Sequence, residues 1–174
     1  MPELQDAAVL VPLFRDAEGE LRLVLVRRGE GGIHGGQLAF PGGRREVTDP
    51  TPLDTAVREA CEETGLSRDA IEVLARLTVI ETRTTGFRIA PFLARIRPPE
   101  CWRPAEGEIA EVLDVRVDDL ALPQTHGEAL EQFAGWTEPR LIPFYRVGPH
   151  RLWGATYRIL HPLIPRLTAG EWQV

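Results

Sequence analysis

The chain has 174 residues, enough for one domain with a substantial core, and its apolar fraction of 43% is ordinary for a globular protein. A net charge of −6 argues against a broad electrostatic surface for nucleic acid. Two cysteines, Cys61 and Cys101, make neither a disulfide framework nor a zinc set.

Residues 7–14 read as a strand, residues 16–19 as a turn, and residues 21–26 alternate as a second strand. Residues 30–36 form a loop with four glycines, followed by the turn Phe40-Pro41-Gly42-Gly43-Arg44-Arg45. A helix follows, with Thr51 as N-cap, Pro52 in the first turn, Asp54 at the capping-box position and Gly65 past the end. Leu53, Ala56, Val57 and Ala60 give it an apolar stripe suited to packing on a sheet. Residues 71–81 and 87–96 read as a strand pair around Thr84-Thr85-Gly86. Residues 111–117 read as another strand, and residues 117–120 as a helical turn. Residues 123–135 read as a loop, part helical. A late hairpin spans residues 140–147 and 150–153, and a final helix starts at Gly154, bent by Pro162 and Pro165. This order predicts an α/β fold, an α/β/α sandwich around a mixed sheet, in one domain over residues 1–174.

The chemistry concentrates in Arg58-Glu59-Ala60-Cys61-Glu62-Glu63-Thr64-Gly65-Leu66. At roughly 100° per residue, Glu59, Glu62 and Glu63 fall within about one third of the helix circumference. Like charges so placed repel one another, and the dipole at a helix C-terminus disfavours anions. A hard divalent cation reverses both costs, and Mg²⁺ is typically held by a few carboxylates plus substrate phosphates. Arg58 lies four residues before Glu62 and can brace it. Gly42 and Gly43 allow a backbone approach closed to other residues. Arg27, Arg28, Arg44 and Arg45 bracket the glycine-rich loop and can supply positive charge to an anionic substrate.

Together these segments resemble the Nudix box of the Nudix hydrolases, G-x5-E-x7-R-E-U-x-E-E-x-G-U. Gly43 fits the leading glycine, and Arg58, Glu59, Glu62, Glu63, Gly65 and Leu66 fit the C-terminal half. Asp49 stands where the first glutamate belongs, eight residues separate it from Arg58, and Ala60 is small for its apolar position. The aspartate and longer spacer are similar to the coenzyme A pyrophosphatase branch, as are Leu23, Arg27, Gly36 and Phe40-Pro41-Gly42-Gly43 within its upstream pattern. Gly86-Phe87-Arg88-Ile89-Ala90-Pro91-Phe92 and Leu152-Trp153-Gly154-Ala155-Thr156 also resemble that branch. Leu25 replaces its threonine, Arg28 a small residue and Gly32 its second arginine.

The resemblance implies a Nudix fold and hydrolysis of a nucleoside diphosphate derivative, with coenzyme A split to 4′-phosphopantetheine and 3′,5′-ADP. ADP-ribose, a dinucleotide or an oxidised nucleotide is the alternative substrate, and a non-catalytic ligand sensor the remaining one. It implies Mg²⁺ or Mn²⁺ on Gly43, Glu59, Glu62 and Glu63. Glu62, Glu63, Arg58 and Glu111 are the implied catalytic groups, with Glu108 the neighbouring alternative to Glu111. Arg27, Gly36, Phe40 and Arg44 are the implied substrate contacts.

Other motifs are weaker. The glycine spacing of residues 31–38 resembles a P-loop, but Gln37 and Leu38 stand where lysine and Ser/Thr are needed. His126-Gly127-Glu128 echoes a zinc-deaminase triplet without its cysteine partners. His34, His126, His150 and His161 stand alone in the sequence and read as structural or solvated. The acidic N-terminus lacks a signal-peptide pattern, and no apolar stretch is long enough to cross a bilayer. A cytosolic enzyme is expected, without nucleic-acid or membrane partners and with a homodimer left open.

Overall fold

The computed structural model describes residues 4–31, 35–82, 85–132 and 136–174. Gly32 and His34 of the glycine-rich loop, Thr84 of the turn near residue 85 and Gly135 lie outside the described residues. The main sheet is organised around β1 (Gln5–Arg15), whose residues 7–14 are almost all buried. β7 (Phe87–Ile96) lies parallel to it from Gln5↔Phe87 to Leu13↔Arg95. β5 (Ile71–Arg76) and β6 (Ile80–Thr82) both run antiparallel to β7.

On its other side β1 meets β2 (Leu21–Arg28) only at the turn, from Leu13↔Leu23 to Arg15↔Leu21. Two short strands fill the widening gap. β3 (Leu38–Ala39) pairs with Val26 and Arg27 of β2, and β4 (Gly42–Arg44) pairs with Ala7, Ala8 and Val9 of β1. β8 (Ile109–Arg116) lies antiparallel to β2. The eight strands thus make a mixed sheet, as the sequence predicts.

Helix α1 (Pro52–Thr64) covers one face of this sheet. Its Thr51 hydroxyl accepts from the Asp54 backbone while the Asp54 carboxylate accepts from Thr51, closing the expected capping box. Gly65 ends the helix at φ 78°, and its N–H donates to the Cys61 carbonyl. Ala56 and Ala60, both fully buried, pack on Ala8, Leu10, Ala90, Phe92 and Ala94. Alanine at position 60 therefore lets the helix lie close to the sheet, which accounts for a small residue there.

The second face carries Val11, Leu13, Leu23, Leu25 and Leu93. It is covered by α2 (Val117–Leu120), α3 (Gly154–Leu160), α4 (Ile164–Thr168) and a three-stranded sheet. That sheet runs β9 (His126–Glu131), β10 (Arg140–Val147), β11 (His150–Leu152) in the order β11-β10-β9. The expected C-terminal helix is two helices, with Pro165 in the first turn of the second. The expected loop over residues 123–135 contains β9. Its polar and small residues conceal a strand whose pairing is supplied by β10, from Tyr145↔His126 to Arg140↔Glu131. Among the described residues, no helix is long and apolar enough to cross a membrane.

Gly42 is the tightest point of the sheet. A Cβ there would meet the Ala8 carbonyl oxygen at 2.3 Å and Val9 Cα at 2.6 Å. Gly42→Ala is expected to loosen β4 from β1 and to lower stability by about 1–3 kcal/mol, read as a shift of the urea midpoint at constant slope.

Candidate functional site

The sequence delivers four elements to one end of α1: the helix itself, β4, the end of β2 and the segment before β8. β4 lies beside the helix because both rest on β1, through the Ala8↔Gly43 pairing on one side and the alanine packing on the other. The segment before β8 is fastened to the end of the helix. The Arg103 N–H donates to the Thr64 carbonyl at 2.9 Å, and the Ala105 N–H to the Glu63 carbonyl at 3.2 Å. The Gly29 N–H then donates to the Glu108 carbonyl at 2.8 Å, joining the end of β2 to the same place.

Glu63 is buried, at 1% exposure. Its Oε2 accepts from the Gly42 N–H at 2.9 Å, while its Oε1 is buried without a hydrogen-bond partner. Burial pushes its pKa up to about 7, and Glu59 and Glu108 add to the rise. The Gly42 N–H and the charge of Arg28 act the other way. Glu59 lies next to Gly43, where a Cβ would come within 2.4 Å of its Oε1. Burial raises its pKa too, against the lowering effect of Arg58. Glu62 is more open, with its side chain 58% exposed, and its Oε2 accepts from Arg58 Nη1 at 3.2 Å.

Arg58 is bound into the protein rather than aimed at a substrate. Its Nε and Nη2 donate to the two oxygens of Asp49, both at 2.9 Å. Its Nη1 lies between Glu59, at 3.1 Å, and Glu62. Asp49 is buried, and also accepts from the Thr55 hydroxyl at 2.9 Å and the Glu46 N–H at 3.0 Å. Arg58 holds its carboxyl well below the usual range. The aspartate and the longer spacer therefore form an internal anchor. Arg58, assigned by sequence to catalysis, has its guanidinium bonded to Asp49, Glu59 and Glu62.

Three further expectations are corrected. Phe40 is 2% exposed and sits in the core with Val11, Leu25 and Leu38, so it is packing rather than a substrate contact. Arg27 and Glu111 face each other across β2 and β8, with Nε 3.3 Å from Oε2. They share the face of Leu25 and Leu113, opposite the one α1 covers, so neither reaches the acidic end of the helix. Glu108 belongs to the segment tied to that end, its carbonyl accepting from the Gly29 N–H, and its charge adds to the raised pKa of Glu59 and Glu63. Arg44 extends from β4 with its guanidinium carbon 5.3 Å from the centre of the Phe87 ring. Gly36 turns the chain at φ 73° and donates its N–H to the Arg28 carbonyl.

Histidines that looked isolated are not all so. His126 and His161 lie 5.4 Å apart in a four-ring group with Tyr145 and Tyr157. Hydrogen bonds of 2.7 Å (His126–Tyr157) and 2.6 Å (Tyr145–His161) cross it. Only folding brings β9, β10 and α3 together, so spacing gave no signal of this group.

The donor set fits a hard divalent cation. Among the described residues, no three His, Cys, Asp or Glu side chains are grouped so as to hold a metal ion by themselves. Yet Glu63 keeps a buried oxygen unpaired beside a second half-buried carboxylate, and Gly43 leaves the approach clear. A cation would satisfy that oxygen and favour the charged form of both acids.

The profile described as NUDIX domain matches residues 4–136. A protein of Salmonella paratyphi B named "Uncharacterized Nudix hydrolase NudL" is 30% identical over 171 residues, spanning 91% of this chain and 81% of its own. Among solved structures, the Nudix hydrolase RenU of M. smegmatis gives a TM-score of 0.57 at 25% identity, over 70% of this chain and 76% of that one. A MutT protein from Methanosarcina mazei Go1 gives 0.58 at 16% identity over 97% and 98%, a likeness of fold.

Two outcomes follow from the electrostatics. The raised pKa of Glu63 means that its contribution to stability is present below its unfolded value, near 4.5, and is lost as pH rises through about 7. In metal-free protein Glu63→Gln should therefore melt above wild type at pH 8 and close to it at pH 5, by differential scanning calorimetry. Asp49 has the opposite sign: its contribution is present above about pH 4 and fades below it. Asp49→Ala removes two charge-assisted hydrogen bonds to Arg58, which keeps Glu59 and Glu62, and should cost about 1–3 kcal/mol at pH 7, a gap that narrows in acid unfolding titrations.

Proposed function

The chain belongs to the Nudix family, and on that premise we propose that it is a divalent-metal-dependent diphosphatase whose substrate is coenzyme A, split to 4′-phosphopantetheine and 3′,5′-ADP. Nudix enzymes generally use divalent metal ions and act on nucleoside diphosphate derivatives. The observation that carries the reading is the pairing of helix and turn. Glu63 is hydrogen-bonded to Gly42 with one buried oxygen left over, and Glu59 lies against Gly43.

Glu59 and Glu63 would hold Mg²⁺ or Mn²⁺, with the Gly43 carbonyl and Glu62 as the remaining protein donors. Such an ion supplies positive charge against phosphoryl oxygens and a more acidic water. Arg58, fixed by Asp49, keeps Glu59 and Glu62 apart and oriented. Glu62, or Glu108 across the site, takes a proton as water attacks phosphorus. The bond from that phosphorus to the bridging oxygen breaks, and the departing phosphate ester leaves with the electron pair. The net charge of −6 supports a small anionic substrate, concentrated by local cations, over a nucleic-acid partner.

Coenzyme A is favoured over ADP-ribose, dinucleotides and oxidised nucleotides by the Asp49 spacing and by the stretches opening β7 and joining β11 to α3. The test is a panel of these diphosphates with Mg²⁺ and with Mn²⁺, the products identified by mass spectrometry. Coenzyme A should give the highest kcat/KM, and a preference for ADP-ribose would overturn the substrate assignment. Glu63→Gln should lose more turnover than the ~10–100-fold typical of a supporting group, with an unchanged circular-dichroism spectrum.

A further inference from the structure

The arginines around the acidic end of α1 are occupied to different degrees. Arg27 is paired with Glu111 and lies 3.8 Å from Glu30, on the far face of the sheet. Arg44 lies over Phe87. Arg45 donates to the carbonyls of Asp49 and Pro50. Arg58 is shared among Asp49, Glu59 and Glu62. The Arg28 guanidinium differs: it makes no hydrogen bond or ion pair with any described residue. Only the backbone of Arg28 is engaged, the N–H donating to Gln37 and the carbonyl accepting from Gly36.

The register of β2 fixes where Arg28 faces. Val24 and Val26 alternate with Leu23 and Leu25, and Val24 packs with Leu66, the residue after the α1 cap, on the α1 side. Arg28 continues the Val24–Val26 row. A one-residue irregularity in β8 sets it opposite Ile109, next to Glu108. Its charge is felt by Glu63. Arg28, a partly buried residue, thus lies on the face that α1 covers, within electrostatic reach of Glu63 and with no side-chain partner among the described residues. Such a group has unmet donors, and its planar fork matches the oxygen spacing of a phosphate.

Building on the diphosphatase reading, we propose that Arg28 is the substrate-gripping cation of this site. It would donate through its fork to the diphosphate and so set which diphosphates are held for attack. The position carries a small residue in the pattern this chain resembles, while Gly32 stands where that pattern has its second arginine. The charge is therefore carried at the end of β2 rather than at position 32.

The experiment is isothermal titration calorimetry with α,β-methylene-ADP, a non-hydrolysable diphosphate, in the presence of Mg²⁺, for wild type, Arg28→Ser and Arg28→Lys. Melting temperatures check that each variant is folded. Arg28→Ser should weaken binding by about 10- to 100-fold, and Arg28→Lys by less. KM for the best substrate should rise in step, with kcat less affected. Binding by Arg28→Ser within twofold of wild type would overturn the assignment, as would a change confined to the pH profile, which would make Arg28 only a modifier of Glu63. Failure of wild type itself to hydrolyse any diphosphate of the panel would instead overturn the diphosphatase reading.

Discussion

The hydrogen bond from the Gly42 N–H to Glu63 fixes how far the turn stands from the helix. Both partners are anchored to β1, so the strand sets the distance between them and the bond closes the triangle. Glycine is required at 42, where a side chain would strike the backbone of β1, while at 43 a side chain would displace the Glu59 carboxylate. The bond also leaves Glu63 facing inward with one oxygen unmet. A buried carboxylate in that state resists ionisation unless positive charge arrives. The tightness of the fold and the appetite of the site for a cation thus share one origin.

Asp49 and Arg58 manage the charge that this arrangement concentrates. Three glutamates within one turn repel one another, and the helix end adds its own negative potential. Arg58 threads between Glu59 and Glu62, and Asp49, bonded to a helix side chain and to the backbone of the preceding loop, prevents it from swinging away. Losing Asp49 would leave Arg58 to Glu59 and Glu62 alone, and losing Arg58 would leave the buried Asp49 carboxylate without its cation. Strand alternation separates Arg27 from Arg28: neighbours in sequence, one pairs with Glu111 and the other lies on the face that α1 covers.

The local features were legible because local chemistry specifies them. The capping box at Thr51 and Asp54, the left-handed Gly65 and the spacing of Glu59, Glu62 and Glu63 need no distant partner to be recognised. The long strands were legible too, since β1, β2 and β7 carry dense apolar runs. β9 was not, because its alternation sets small residues inward and leaves Leu130 exposed, a pattern that makes a strand only once β10 supplies the pairing. Phe40 illustrates the limit for a side chain beside a functional turn: nothing in the order of residues says whether an aromatic ring points outward or, as here, into the core.

The order of amino acids by itself determined the helix, its ends, its acidic stripe, the glycine turn before it and the mixed α/β character of the domain. Tertiary structure alone decided that the Glu108 segment is tied to the end of β2 while Glu111 pairs with Arg27, that Arg58 is held by Asp49, that Arg28 is left unpaired among the described residues, and that His126 and His161 meet. The reason is the range of the forces involved. Helix caps and periodicity act over a few residues, whereas the face on which a strand residue lands, and which charge it then meets, follows from registers and bulges between segments far apart in the chain.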